Sequence, residues 1–227
     1  MPKISVLAAL KQLKRPVFTT AEVASCGTGT LSNVTQALNH LAKKGVIVKI
    51  ARGIWGLEIG ANKVSSYSVI PLLLPRHRAY VSFVSALHLY GIIEQIPRVI
   101  TLASTSHTRV IRTKLGTFYV HKIAPSFFKG FDWYKGSGSF LIAEPEKAFV
   151  DCLYVSSRKK KQFGYFPELY FPKSFSFDKV KKWIKEIPDA KIRSSVINKL
   201  NKLKIKTKIT QNAKSKTQRA KRKTKES

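Results

Sequence analysis

The chain has 227 residues, with 42 Lys and Arg against 12 Asp and Glu, a net charge of +30, and 44% hydrophobic residues that include thirteen Phe, eight Tyr and three Trp. That apolar content can bury real cores and excludes a wholly disordered chain, while two distant cysteines, Cys26 and Cys152, exclude a disulfide scaffold. The longest apolar run, Val69 to Leu74, is too short for a bilayer and is interrupted by Pro71. The cation excess predicts a polyanionic partner, nucleic acid ahead of an anionic membrane surface, because each Lys or Arg set on a phosphate releases a condensed counterion. Free thiols and the lack of a long apolar core at the N-terminus predict a cytoplasmic protein with no membrane partner.

In chain order, Val6, Leu7, Leu10 and Leu13 recur at helical spacing, Pro16 interrupts the pattern, and Val17-Phe18 is a short extended piece. Thr19 or Thr20 is placed to cap a short helix through Ser25, with Glu22 in its first turn, where the helix dipole favours an acid. Cys26-Gly27-Thr28-Gly29 makes a turn. Thr30 caps a third helix that runs to Lys44 and stops at Gly45.

On that third helix Leu31, Val34, Ala37, Leu38 and Leu41 form the apolar face. The other face carries Ser32, Gln36, Asn39 and Lys43, flanked by Asn33 and His40. Asn and Gln suit the N6 and N7 edge of adenine, and Ser or Thr can bond bases or phosphates. Val46 to Ile50 and Ile54 to Leu57 flank Ala51-Arg52-Gly53 as a hairpin with a basic tip. From Val23 to Leu57 there is no acid, whereas Lys43, Lys44, Lys49 and Arg52 are basic. A generic solvated helix would carry Glu as readily as Lys. The predicted element is a winged helix-turn-helix over 1–60, with Thr30, Ser32, Asn33, Gln36, Asn39, Lys43, Lys49 and Arg52 on DNA.

Ser65, Ser66, Ser68, Pro71 and Pro75 mark 61–77 as a linker. A mixed α/β domain is predicted over 78–203, so the chain is α+β in class. It has a helix from Tyr80 to Gly91 capped by Ser82, strands from Val99 to Ala103, Gly116 to Ile123 and Phe140 to Ala143, and a helix opened by Glu144-Pro145-Glu146. Ala148, Phe149, Cys152 and Leu153 are that helix's buried stripe. Lys179 to Ile187 and Asp189 to Leu203 read as two more helices, the second with Ile192, Val196, Leu200 and Leu203 on one face. Gln95 to Gly130 lacks acids, and Arg98, Arg109, Arg112, Lys114 and Lys122 form either a second nucleic-acid-facing surface or a solvated strand face. Residues 204–227 carry ten Lys and Arg with four apolar residues and read as a disordered basic tail.

The order of elements resembles the AbiEi family, the antitoxin and transcriptional-repressor component of type IV toxin–antitoxin systems. The stretches that carry this resemblance are 41–56 (LAKKGVIVKIARGIWG), 80–93 (YVSFVSALHLYGII), 100–104 (ITLAS), 112–123 (RTKLGTFYVHKI) and 142–151 (IAEPEKAFVD). It covers roughly residues 5–155, and the later stretches are the more specific ones. The resemblance implies that the winged helix binds inverted repeats in double-stranded DNA of its own promoter. It also implies that the C-terminal domain opposes a cognate nucleotidyltransferase-like toxin without a stable complex. The long Lys-rich tail goes beyond the pattern of the family.

Other chemistry finds less support. A metal-dependent nuclease would need clustered acids, and only Glu144, Glu146 and Asp151 are dense. The five histidines have neither paired zinc spacing nor a His-Glu-x-x-His arrangement, so no metal or cofactor is expected. Gly27-Thr28-Gly29 and Gly136-Ser137-Gly138 lack the rest of a phosphate loop. The expected function is a non-enzymatic DNA-binding protein that, as the resemblance implies, acts as an autorepressor and antitoxin. The alternatives are an RNA- or ribosome-associated basic protein and, behind it, the nuclease.

Overall fold

Ser5 opens the first helix by accepting the Ala8 N–H at 3.2 Å, and α1 (Val6–Leu13) ends at Lys14 in the left-handed region. A computed structural model describes residues 4–57, 64–136, 139–158, 163, 166 and 168–203. After β1 (Val17–Thr19), the short α2 (Thr20–Val23) is held by a capping box. The Glu22 N–H donates to Thr19 Oγ1 at 3.2 Å, and the Thr19 N–H donates to Glu22 Oε2 at 2.7 Å. Partial burial alone would raise the Glu22 carboxyl, but the Thr19 N–H and the Arg15 guanidinium outweigh it and hold it below its ordinary value. A wide turn over Ala24–Thr28, with Gly27 at φ 79, leads to α3 (Leu31–Lys43), capped by Thr30. Then β2 (Ile47–Ala51) and β3 (Ile54–Leu57) form a hairpin, and the three strands pair antiparallel in the order β1-β3-β2.

Strand alternation gives this small sheet two buried faces. Phe18, Ile47 and Trp55 pack against Ala9, Leu10, Val23, Val34 and Leu38 from the helices. Their neighbours Val17, Ile50 and Ile54 face the other way and join the core of the rest of the chain. The Trp55 Nε1–H donates to Thr20 Oγ1 at 2.9 Å, which fixes the sheet to α2. Leu7 and Leu31, expected in the apolar stripes, are 50% and 58% exposed, while Val6, the neighbour of Leu7, packs on the small core in its place.

Residues 64–77, expected as a linker, are instead ordered and partly built into the core. Ser65 caps a 3-10 turn over Ser66–Val69 and Pro71 sits in the first turn of α4 (Ile70–Leu73), where its missing N–H costs nothing. Val69, Ile70, Leu73 and Leu74 are all buried. The six-stranded mixed sheet has the order β6-β7-β5-β4-β9-β8, from β4 (Ala79–Val81), β5 (Ile100–Ser104), β6 (Arg109–Thr113), β7 (Gly116–Lys122), β8 (Phe131–Trp133) and β9 (Leu141–Ala143). Of its pairings β4 with β9 and β5 with β7 are parallel.

Tyr80 and Val81, expected in a helix, are strand residues paired with β5 and β9, so α5 (Phe83–Leu89) begins only after Ser82. The helix α6 (Pro145–Arg158) is buried from Glu146 to Ser156, far beyond the expected stripe, because α5 and α7 (Phe177–Lys185) both pack on it. A last helix, α8 over 190–203, lays Val196 and Leu200 on the same core. No helix among the described residues is long and apolar enough to cross a membrane. The expected tail, 204–227, lies outside the described residues.

Candidate nucleic-acid interface

The third helix owes its outward face to its inward one. Val34 and Leu38 are buried against the small sheet, and this turns Ser32, Asn33, Gln36, His40 and Lys43 to solvent, with Asn39 half-buried beside them. Thr30 is held as a cap: its hydroxyl oxygen accepts the Asn33 N–H at 3.3 Å, which leaves its proton free to donate. Amides and hydroxyls therefore occupy the start and middle of the exposed face, and Lys43 and Lys44 its end. No carboxylate lies on α3. Such a face can bond base edges without repelling phosphate.

Lys49 and Arg52 are both exposed on the hairpin. The Lys49 ammonium lies 5.3 Å from the centroid of Trp55, its cross-strand partner, while Arg52 stands at the tip. Gly53, at φ 72, makes the turn, and its carbonyl accepts the Thr20 N–H at 3.0 Å, which ties the tip to the start of α2.

The second basic set is divided by the fold. The strand β6 packs beside β2, and the Lys114 N–H donates to the Ile50 carbonyl at 3.1 Å, next to the irregularity between Lys49 and Ala51. Arg112 and Lys114 thus continue the basic edge of the hairpin. Arg109 and Lys122 lie at the far end of the β6–β7 hairpin, about 17 Å away at ordinary strand rise. There the Arg109 guanidinium donates to Ser106 Oγ at 3.2 Å. Arg98 is exposed in the bend ahead of β5.

The acids of α6 do not converge. Glu144 is exposed, and buried Glu146 accepts the Ser176 N–H at 2.8 Å. Asp151 is fully buried in an ion pair with Lys147, and Ser82 and Tyr80 donate to its other oxygen at 2.7 and 3.1 Å. Burial lowers the Lys147 ammonium, against the pull of Asp151, and pushes the Cys152 thiol well up. Among the described residues, no group of three or more His, Cys, Asp or Glu is placed to hold a metal ion.

Two features escape sequence reasoning. The buried Lys147–Asp151 pair stands at i and i+4, the spacing of an ordinary surface pair. A depression lined by Arg76, His77, Arg78 and Trp133 draws on segments far apart in the chain, and only the basic triplet 76–78 could have drawn attention. Set against protein-family models the chain matches none, and no curated protein is significantly similar to it.

Proposed function

We propose that this chain is a sequence-specific, double-stranded-DNA-binding autorepressor with an N-terminal winged helix-turn-helix, and that it also serves in the cytoplasm as an antitoxin against a nucleotidyltransferase-like toxin. The observation that carries the DNA-binding reading is the acid-free outward face of α3 beside a three-stranded sheet of order β1-β3-β2 whose hairpin tip is basic. In this reading α3 enters the major groove, Asn33 and Gln36 read bases, and Lys43 and Arg52 hold phosphates. Arg112 and Lys114 extend the phosphate contacts from β6. The antitoxin half rests on the sequence resemblance, and a nucleotidyltransferase-like reading frame beside the gene is its expected neighbour.

Gln36→Ala tests the base reader. It is expected to weaken operator binding by about 1–3 kcal/mol and to leave binding to random duplex nearly unchanged, since a base contact discriminates and a phosphate contact does not. Gel shifts on the promoter and on a scrambled duplex measure both. Equal losses on the two would remove Gln36 from the reading face.

The ten cations of 204–227 are expected to add affinity without specificity. A chain ending at Leu203 should bind every duplex more weakly, by roughly tenfold or more at low salt. Its plot of log K against log salt should be shallower by about 0.9 for each phosphate no longer neutralised. Titration at several salt concentrations decides this. An unchanged slope would place the tail on RNA or another partner.

A further inference from the structure

The structure holds a second candidate site, far in sequence from α3, with a different chemistry. A depression of about 460 Å³ lies between α4 and the turn 75–78 on one side and the β8–β9 edge of the large sheet on the other. Its floor is apolar, from Ile70, Leu74 and Leu141. Its rim carries Arg76, His77 and Arg78, all exposed, and the ring of Trp133, 56% exposed. Among the described residues, no carboxylate lines it.

Strand geometry explains why these groups converge. Trp133 pairs with Leu141 across β8 and β9, and Phe131, two residues earlier, points to the same face. The Phe131 ring stacks on Tyr80 at 4.6 Å between centroids, and Arg78, two residues before Tyr80, lies with its guanidinium 5.6 Å from the Phe131 ring. The cation is thereby fixed on the aromatic row that ends in Trp133. Asp132, between the two rings, alternates to the opposite face, and its Oδ1 accepts the Trp133 N–H at 2.7 Å. None of Arg76, His77 and Arg78 takes part in the ion pairs found among the described residues.

An open tryptophan face beside two guanidinium groups and an imidazole suits a ligand that is both planar and anionic. A phosphate alone would not use the ring, and a neutral aromatic would leave the cations idle. Duplex DNA keeps its base faces stacked and cannot offer one, whereas a free nucleotide or the end of a single strand can. The volume falls in the range of about 300–1,000 Å³ that holds small ligands. We infer that this depression binds a nucleotide with an unstacked base: the base lies on Trp133 and the phosphates meet Arg76 and Arg78. The site is independent of how α3 binds duplex DNA.

Calorimetry on the full chain at physiological salt tests the site with four probes: ATP, CTP, inorganic tripolyphosphate and a triribonucleotide. ATP or CTP is expected to bind, with tripolyphosphate at least tenfold weaker. Trp133→Leu, at an exposed position that leaves the fold intact, should weaken nucleotide binding by about tenfold, as the loss of one stacked base does. Arg78→Gln should weaken it as well, while both variants keep the operator gel shift of the parent. Within the binding that Trp133→Leu removes, a tighter triribonucleotide assigns the site to single-stranded RNA, and a tighter mononucleotide to free nucleotides. Tripolyphosphate as tight as ATP, full binding by Trp133→Leu, or no nucleotide binding at all would overturn the inference.

Discussion

Lys147→Met is expected to destabilise the protein by about 3–5 kcal/mol, a large part of the roughly 5–15 kcal/mol that holds a domain of this kind together. Lys147 and Asp151 are both fully buried, on adjacent turns of α6. The Lys147 ammonium also donates to the Tyr80 hydroxyl at 3.1 Å and lies 3.8 Å from the centroid of Phe127. Gly130, at φ 77, lets the Trp183 ring close over the pair, since a Cβ there would lie 2.4 Å from the ring. Methionine fills the volume but strands the Asp151 carboxylate without a counter-charge in a dry core, with Ser82 and Tyr80 as its remaining donors. Neutralising the partner should therefore restore stability. Lys147→Met/Asp151→Asn, which keeps an acceptor for Ser82, is expected to recover at least half of the loss. Urea unfolding of the parent and both variants measures this, and a single variant within about 1 kcal/mol of the parent would refute the ionic account.

The same pair shows where sequence reading stops. Periodicity made α3 legible, because thirteen residues with one face on a sheet must repeat at helical spacing. Two caps were equally legible: Thr19 and Thr30 each use their side chain to accept an N–H at a helix start, whereas Ser82, expected to cap α5, makes no capping bond and donates its hydroxyl to Asp151 instead. Lys147 and Asp151 look like a solvated pair in one dimension, and only the packing of α5 and α7 on α6 buries them. The strand β6 carried no alternating apolar signal because its Arg109, Val110 and Arg112 side chains are exposed at the sheet edge, and pairing with β7 and the packing of Ile111 on the core define it. The Ser and Pro residues of 61–77 signal a linker in one dimension, although Ser65 caps the turn and Pro71 starts α4. In the candidate DNA interface, the residues proposed to read bases share one helix and were visible together. The join of Lys114 to Ile50 is a contact between regions far apart in the chain that no local pattern records.

That join also determines where the chain can be divided. A fragment beginning at Pro75 is expected to fail to fold, whereas one beginning at Val64 should fold and, in the proposed reading, still protect cells from the toxin. The difference is α4 and its flanks: Val69, Ile70, Leu73 and Leu74 are buried in the large core. Losing even one such side chain costs about 2–5 kcal/mol, so losing four exceeds the stability of most domains. The longer fragment still gives up the cover of Val17, Ile50 and Ile54, and residues 1–60 give up the opposite side of the same contact, so each half should be less stable than in the whole chain. Residues 1–60 are expected to bind the operator weakly and to give no rescue, while 64–227 should rescue growth and shift the operator no better than a scrambled duplex. Circular dichroism and urea melts read the folding, co-expression with the toxin reads rescue, and a gel shift reads DNA. A stable fold from Pro75 onward would contradict the role given to α4. Rescue by 1–60 alone, or loss of rescue on Gln36→Ala in the full chain, would place antitoxin activity in the N-terminal half, because α3 packs on the small sheet and turns Gln36 away from the cores to solvent.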